Sequence, residues 1–184
     1  IVAVPIGLGA DIYLNEYASD RSRRIIKPIL EILAGIPTIV FGFFALTFVT
    51  PILRNLIPNL GEFNSISPGI VVGIMIVPMI TSMSEDAMSS VPDKIREGAF
   101  GLGATKFEVA TKVVLPAATS GVVASIVLGI SRAIGETMIV SLAAGSSPTS
   151  SLSLTSSIQT MTGYIVEIAT GDAAFGSDIY YSIY

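Results

Sequence analysis

Long uncharged segments alternate along this chain with short charged ones. Residues 32–53 and 63–84 contain no Asp, Glu, Lys or Arg. Each has 22 residues and would reach about 33 Å as an α-helix, enough to cross the hydrocarbon core of a bilayer. Residues 113–145 form a third apolar stretch, and 1–17 resembles the last part of another. The pattern predicts an all-α membrane protein with several spanning helices.

Prolines and small residues predict how these helices bend and pack. Pro37 and Pro78 lie inside two of the spans and predict kinks, because proline removes a helical N–H donor. Gly69 and Gly73 form a GxxxG pair, a weak signal for close helix approach. A stronger pattern recurs every four residues in the third stretch, where it predicts one small-residue face: Gly121, Ser125, Gly129 and Ala133.

The segment 97–116 differs from its surroundings because it is charged, amphipathic and interrupted by glycine. The run Gly101–Gly103 predicts the end of a short helix, since glycine adopts left-handed dihedrals at little cost. Thr105 and Glu108 have the spacing of a capping box and predict a second helix that runs to about Leu115. Such a hairpin is too polar for lipid and is suited to a groove on a water-soluble partner. An ordinary amphipathic connection between two spans is the alternative.

The basic residues are unevenly placed, and this orients the chain. Of the ten basic residues, Arg54 and Arg132 lie apart, and the other eight fall in two segments that flank apolar spans: Arg21, Arg23, Arg24, Lys27, Lys94, Arg96, Lys106 and Lys112. Basic loops of membrane proteins face the cytoplasm, so the hairpin is expected on that side. Beside apolar spans this basic cluster indicates a membrane rather than a nucleic-acid partner.

Composition restricts the possible chemistry. The chain has no histidine and no cysteine, which removes the usual ligands of zinc and the usual catalytic bases and thiols. Glu85 and Asp86 are adjacent and would point about 100° apart on a helix, so they do not form a facing acid–base pair. We therefore expect neither a metal site nor a catalytic site. An intramembrane enzyme would need a dyad that is not visible here.

At the charged segment the sequence resembles the EAA loop of ABC-importer permeases, whose pattern is E-A-A, three residues, G, nine residues, I-x-L-P. The spacing agrees throughout, and the matching positions are Glu97, Gly98, Ala99, Gly103, Val113, Leu115 and Pro116. Gly98 and Val113 replace the family's alanine and isoleucine. The resemblance implies that this segment is the coupling helix, which docks onto an ATP-hydrolysing subunit.

Arg132 and Glu136 are the candidate substrate-pathway residues. A charge within a membrane span is costly, so it is expected to face a partner or a wet pathway. The guanidinium of Arg132 offers a planar fork of donors that suits a tetrahedral oxyanion, and Glu136, four residues later on the same predicted helix, would hold it. A static ion pair that only fixes helix packing is the alternative.

The residues around this pair resemble the R-A-x-G-E-T motif of phosphate-importer permeases, here residues 132–137. Segments 12–17, 32–38 and 154–158 are also similar to the PstC-type subunit. The resemblance implies a single permease domain over 1–184 with the MetI-like type I importer fold, and the apolar pieces at its two ends indicate a domain truncated at both ends. It further implies a multi-pass protein of the prokaryotic inner membrane that imports phosphate.

The expected partners are a second permease subunit, ATP-binding cassette subunits that bind ATP and magnesium, and an external phosphate-binding protein. No cofactor is expected in this chain. A permease for sulfate or molybdate, or a membrane scaffold that docks a cytosolic protein, remains an alternative. The serine-rich segment 146–172 is expected to be an outer loop, mostly a solvated linker, with a short helix near 157–168.

Overall fold

The computed structural model describes residues 3–148, 153–172 and 176–183, and helices are the regular secondary structure of these residues. The α-helices in chain order are α1 (Ala3–Ile12), α2 (Asp20–Gly35), α3 (Thr38–Phe44), α4 (Thr50–Leu56), α5 (Ile66–Ser89), α6 (Asp93–Gly101), α7 (Lys106–Val109), α8 (Leu115–Ala117), α9 (Thr119–Ile134), α10 (Met138–Ala143), α11 (Met161–Glu167) and α12 (Asp178–Tyr181). Single π-helical segments cover Tyr13–Tyr17, Ala45–Val49, Ala110–Val114 and Ile168–Asp172. The predicted all-α architecture is confirmed for the described residues.

Among the described residues, two continuous helices are long and apolar enough to cross a membrane. They are Thr38–Leu56, in which α3 and α4 join through a π-helical segment, and α5, Ile66–Ser89. The first begins six residues later than predicted. Residues 20–35 instead form α2, a separate amphipathic helix, because a proline at 37 disfavours helical dihedrals at the residue before it.

The prediction of one helix over 113–145 is wrong. The helical segments Lys106–Ala117 and Thr119–Ile134 meet at an angle of 76° and together pass the same length and composition test. The hydroxyl of Thr119 donates to the carbonyls of Leu115 (3.1 Å) and Pro116 (2.8 Å). Such back-bonding by threonine competes with the helical ladder and bends it. The ladder is also weakened because Pro116 has no N–H.

A second interruption separates α9 from α10. Helix α9 ends at Ile134, and the next helix begins only at Met138. Arg132 and Glu136 therefore do not lie on one continuous helix, and the argument from four-residue spacing does not apply to them. Gly135, which lies at the break, is a poor helix former because its backbone loses the most freedom on ordering.

The chain divides into two compact units, 1–35 with 73–134 and 36–72 with 135–184. The first unit has an apolar core around the end of α5 and the beginning of α9. Its buried members are Met88, Val91, Val109, Val114, Ala118 and Val122. This core holds the second helix of the charged hairpin and the start of α9 against the end of α5. A single permease domain over the whole chain stays a prediction.

The small-residue face of α9 packs against α5, as predicted. A Cβ at Gly121 would clash with the Cβ of Ala87, and one at Gly129 would approach Ile80 to 3.1 Å. Between them, the hydroxyls of Ser125 and Ser84 share a buried hydrogen bond of 2.7 Å. The two helices thus approach at backbone distance along this seam. At Gly69 and Gly73, by contrast, a Cβ would meet no described heavy atom within 4 Å, so the GxxxG prediction is not confirmed.

In the second unit, α3 packs closely on α10. A Cβ at Gly42 would lie 3.1 Å from the Cα of Ile139 and 3.2 Å from the carbonyl oxygen of Met138, so only glycine fits there without a shift. A buried polar chain lies nearby, in which Thr50 donates to Ser67 (2.8 Å) and Ser67 donates to Asn64 (3.0 Å). The buried hydroxyls of Thr50 and Ser67 thus each have a partner, which removes much of the cost of burying them.

The serine-rich segment is less free than predicted. The backbone N–H groups of Gly61 and Ser65 donate to the carbonyls of Thr155 (3.0 Å) and Leu154 (3.2 Å). The hydroxyl of Ser157 donates to the carbonyl of Ala144 (2.7 Å). The predicted short helix is present as α11, whereas residues 149–152 of the predicted linker lie outside the described residues. The segment 153–159 is therefore anchored rather than a solvated linker.

Candidate functional site

Glycine ends the first helix of the charged hairpin, as predicted. Gly103 has φ +85°, a left-handed conformation that residues with a Cβ rarely adopt. The N–H of Ala104 donates across the turn to the carbonyl of Ala99 (3.2 Å), and the N–H of Gly103 donates to Phe100 (2.9 Å). These bonds satisfy carbonyls that the helix end would otherwise leave unpaired. The turn is therefore a defined structure.

The predicted capping box starts the second helix of the hairpin. The N–H of Glu108 donates to the hydroxyl of Thr105 (3.4 Å), and the N–H of Thr105 donates to the Glu108 carboxylate (3.1 Å). Lys112 adds an ion pair to the same carboxylate at 3.1 Å. The Thr105 backbone bond, followed by these side-chain contacts, lowers the pKa of Glu108 from 4.5 to about 2. The carboxylate is thus ionised throughout the physiological range.

The hairpin has one face packed on the first unit and one face open. Val109, Ala110 and Val114 are buried, whereas Leu102 is 91% exposed and Phe107 is 63% exposed. Ile95 and Phe100 add further exposed apolar area on α6. Exposed apolar residues grouped on a charged turn are typical of an interaction surface.

The seven EAA-loop positions divide between the two faces. Glu97, Gly98, Gly103 and Pro116 are exposed, while Ala99, Val113 and Leu115 are partly buried. Ala99 and Leu115 pack against the apolar core of the first unit. The small side chain at 99 thus allows α6 to lie close to the core. Gly98 faces open space, where a Cβ would meet no described atom within 4 Å.

Arg132 and Glu136 fall in different units, and each is described in its own. Arg132 is exposed in the last turn of α9. Glu136 is buried, and its Oε1 accepts a hydrogen bond of 3.2 Å from the N–H of Ile139. Glu136 therefore caps the start of α10, a role that the sequence analysis did not predict. The pairing of the two residues stays a prediction.

The structure also shows polar contacts at the base of the hairpin that the sequence analysis missed. Lys27 pairs with Glu85 at 2.9 Å, and Arg96 donates to Asn15 Oδ1 at 3.2 Å. These contacts bring the two basic segments, 21–27 and 94–112, to the same end of the first unit, as one cytoplasmic face requires. Nothing in the local spacing links positions 15, 85 and 96. Only the fold brings them together.

Asp11 in α1 is fully buried, and neither carboxylate oxygen has a hydrogen-bond partner among the described residues. Within that same part of the chain, no group of three acidic side chains is arranged to hold a metal ion. The buried carboxyl is therefore a local cost to stability, since unpartnered polar atoms lose their hydration on burial.

Comparison with known proteins places this architecture in a family. Residues 3–180 match the model of the family described as "Binding-protein-dependent transport system inner membrane component". The chain belongs to this family. Its helices are accordingly those of the MetI-like type I importer permease fold, in a multi-pass protein of the inner membrane.

Several curated relatives are similar over most of the chain. The probable ABC transporter permease protein YqgH of Bacillus subtilis is 35% identical over 178 residues, which are 96% of this chain and 57% of the relative. The phosphate transport system permease protein PstC of Haemophilus influenzae is 38% identical over 165 residues, 79% of this chain and 52% of the relative. PstC 1 of Mycobacterium tuberculosis is 34% identical over 164 residues, 79% and 48%. The chain spans about half the length of these relatives. Its similarity to the two PstC proteins shows that it is a PstC-like permease.

Proposed function

We propose that this permease moves inorganic phosphate into the cytoplasm as part of an ATP-driven importer. The observation that carries the proposal is the charged hairpin, with a defined turn, an apolar tip and one face fixed to the apolar core. The names of the PstC relatives and the R-A-I-G-E-T sequence at 132–137 support phosphate as the substrate. The alternatives of sulfate and molybdate are decided by the experiment below.

In this proposal the energy comes from ATP-binding cassette subunits, which bind ATP and magnesium, while this chain binds neither. The exposed side chains Ile95, Leu102 and Phe107 insert into a groove on that subunit. The buried face of the hairpin transmits the movement, because Val109 and Val114 pack on the end of α5. A second permease subunit and an external phosphate-binding protein complete the assembly.

Arg132 is proposed to contact the anion in the substrate pathway. Its guanidinium donates from a planar fork that matches two oxygens of a tetrahedral oxyanion. The side chain is exposed in the first unit, and the proposal requires that this exposed surface line a wet pathway and not the lipid. Glu136, at the start of α10 in the second unit, is proposed as a further residue of the substrate pathway.

The test of substrate is uptake by the full permease–ATPase complex in proteoliposomes, with the binding protein outside. Phosphate uptake should depend on ATP and resist competition by excess sulfate or molybdate. If excess sulfate or molybdate inhibits uptake as strongly as a true substrate would, that anion and not phosphate is the substrate. ATPase binding without uptake of any of the three would favour the scaffold alternative.

The role of Arg132 is tested separately. Arg132→Ala should abolish uptake without preventing assembly, and Arg132→Lys should retain only part of the activity, because an ammonium group lacks the planar fork. Arg24→Lys, at an exposed position of α2, is the matched control and should behave as the wild type. Unchanged uptake kinetics in Arg132→Ala would leave this residue a packing role only.

A further inference from the structure

Arg96 lies in α6, the first helix of the charged hairpin, and its side chain points back toward the body of the first unit. Its side chain is half-buried, with one terminal nitrogen donating to the carbonyl of Met88 at 2.7 Å. The other terminal nitrogen donates to Asn15 Oδ1 at 3.2 Å. One guanidinium thus joins α6 to the end of α5 and to the π-helical segment after α1. Its fork fixes direction as well as distance, since both donors lie in one plane.

Asn15 is held on its other sides. Its Nδ2 donates to the carbonyl of Glu85 at 3.5 Å, and its own carbonyl accepts from Arg23 at 2.8 Å. Arg23 also donates to the carbonyl of Leu14 at 2.7 Å. The end of the π-helical segment would otherwise leave these carbonyls without partners. Asn15 therefore contacts α2 and α5 as well as Arg96.

Glu85 completes the connection. Its buried carboxylate pairs with Lys27 of α2 at 2.9 Å, while its backbone carbonyl accepts from Asn15. Four parts of the first unit meet at this polar cluster: the π-helical segment, α2, the end of α5 and α6. Charge-assisted hydrogen bonds join these parts to one another, so we expect the cluster to move as one body.

The apolar core and the polar cluster hold the hairpin in different ways. Val109 and Val114 attach it to the end of α5 through apolar contacts, which are non-directional and tolerate a change of tilt. The fork of Arg96 is directional and does not tolerate such a change. Without it, the hairpin would stay attached but would lose its fixed angle to α1 and α5.

We propose that Asn15 and Arg96 form a positioning clamp that converts movement of the coupling hairpin into movement of α1 and α5. The proposal rests on the proposed function, because the movement originates in the ATPase partner. Neither residue touches the substrate in this scheme. Their loss lowers the number of phosphates moved per ATP and leaves assembly intact.

The clamp itself is tested by a distance measurement in the full complex. This measurement does not require transport. The chain has no cysteine, so the exposed residues Tyr17 and Lys106, neither of which is assigned to the docking tip, can be replaced by cysteine and spin-labelled without background labelling of this chain. We expect a narrow distance distribution in the otherwise unchanged protein. Asn15→Ala and Arg96→Lys should each broaden it, and the control Arg24→Lys should not. A distribution that stays narrow in both clamp variants would overturn the proposal.

The consequence of the clamp is read from the ratio of ATP hydrolysed to phosphate taken up. Each clamp variant should raise this ratio roughly tenfold, the shift that one charge-assisted hydrogen bond makes in a two-state equilibrium. The double variant, Asn15→Ala with Arg96→Lys, should raise this ratio no further than the more severe single variant does. Asn15→Asp, which keeps an acceptor for Arg96, should restore most of the coupling.

The outcomes separate this inference from the proposed function. The clamp would be overturned if the two single effects on the ratio of ATP hydrolysed to phosphate taken up were additive in the double variant, or if both single variants had the wild-type ratio. Neither result would affect the proposal that the wild type transports phosphate. A wild-type complex that takes up no phosphate would overturn the proposed function instead. The distance measurement would then still decide whether the two residues fix the hairpin.

Discussion

The seam between α5 and α9 depends on a glycine at 121, and its replacement gives a quantitative test of the packing. A Cβ at this position would clash with the Cβ of Ala87, so Gly121→Ala forces the two helices apart. Insertion of a methyl group into a tight interface costs about 1–3 kcal/mol. The same substitution gains about 1 kcal/mol of helix propensity. The net change in the free energy of unfolding is therefore a loss of up to about 2 kcal/mol.

Two variants isolate the contact. Gly69→Ala lies in α5, where the new Cβ would meet no described atom within 4 Å, and should show only the propensity gain of about 1 kcal/mol. The exchange variant, Gly121→Ala with Ala87→Gly, moves the methyl group across the seam and should recover most of the loss. Reversible unfolding of the detergent-solubilised permease gives the free energies. Equal effects of Gly121→Ala and Gly69→Ala, or no recovery in the exchange variant, would refute the close approach.

Three further predictions concern single positions. Gly103→Val should uncouple ATP hydrolysis from uptake with the protein still in the membrane, because φ is +85° at this position, and Gly103→Asn should uncouple them less. Normal coupling in the valine variant would contradict this. Asp11→Ala should raise the free energy of unfolding of the permease by about 1 kcal/mol or more, since it removes two buried oxygens without described partners. A lower free energy of unfolding would show that the carboxyl has a partner. Because the pKa of Glu108 is lowered to about 2, hydrogen-exchange protection at the start of α7 should hold above about pH 5 and fall between about pH 4.5 and 2. Thr105→Val should reduce this pH dependence. Protection in the wild type that does not change between these pH values would contradict the cap.

Local signals predicted the elements whose physics is local. The turn at Gly103 and the cap at Thr105 each depend on residues within a few positions, and both are present as expected. The small-residue face of α9 was also visible, because four-residue spacing places side chains on one face regardless of the partner. These features needed no knowledge of which helix packs where.

The remaining features depend on competition between contacts distant in sequence. The helix breaks at Ala118 and Gly135 lie within the apolar stretch 113–145, so hydropathy alone did not reveal them, and the prediction that Arg132 and Glu136 share one helix was wrong. The delayed start of the span at Thr38 reflects Pro37, whose effect was predicted as a kink rather than a boundary. The bond between Asn15 and Arg96 joins positions 81 residues apart and has no local signal.

The central claim is that the apolar tip of the hairpin faces the cytoplasm and docks an ATPase subunit. It is tested most directly by labelling Leu102→Cys, in this cysteine-free chain, with a membrane-impermeant maleimide. Inside-out vesicles should be labelled and right-side-out vesicles should not, and an added ATPase subunit should block the labelling. Labelling from the external side, or labelling that the ATPase subunit leaves unchanged, would contradict the account.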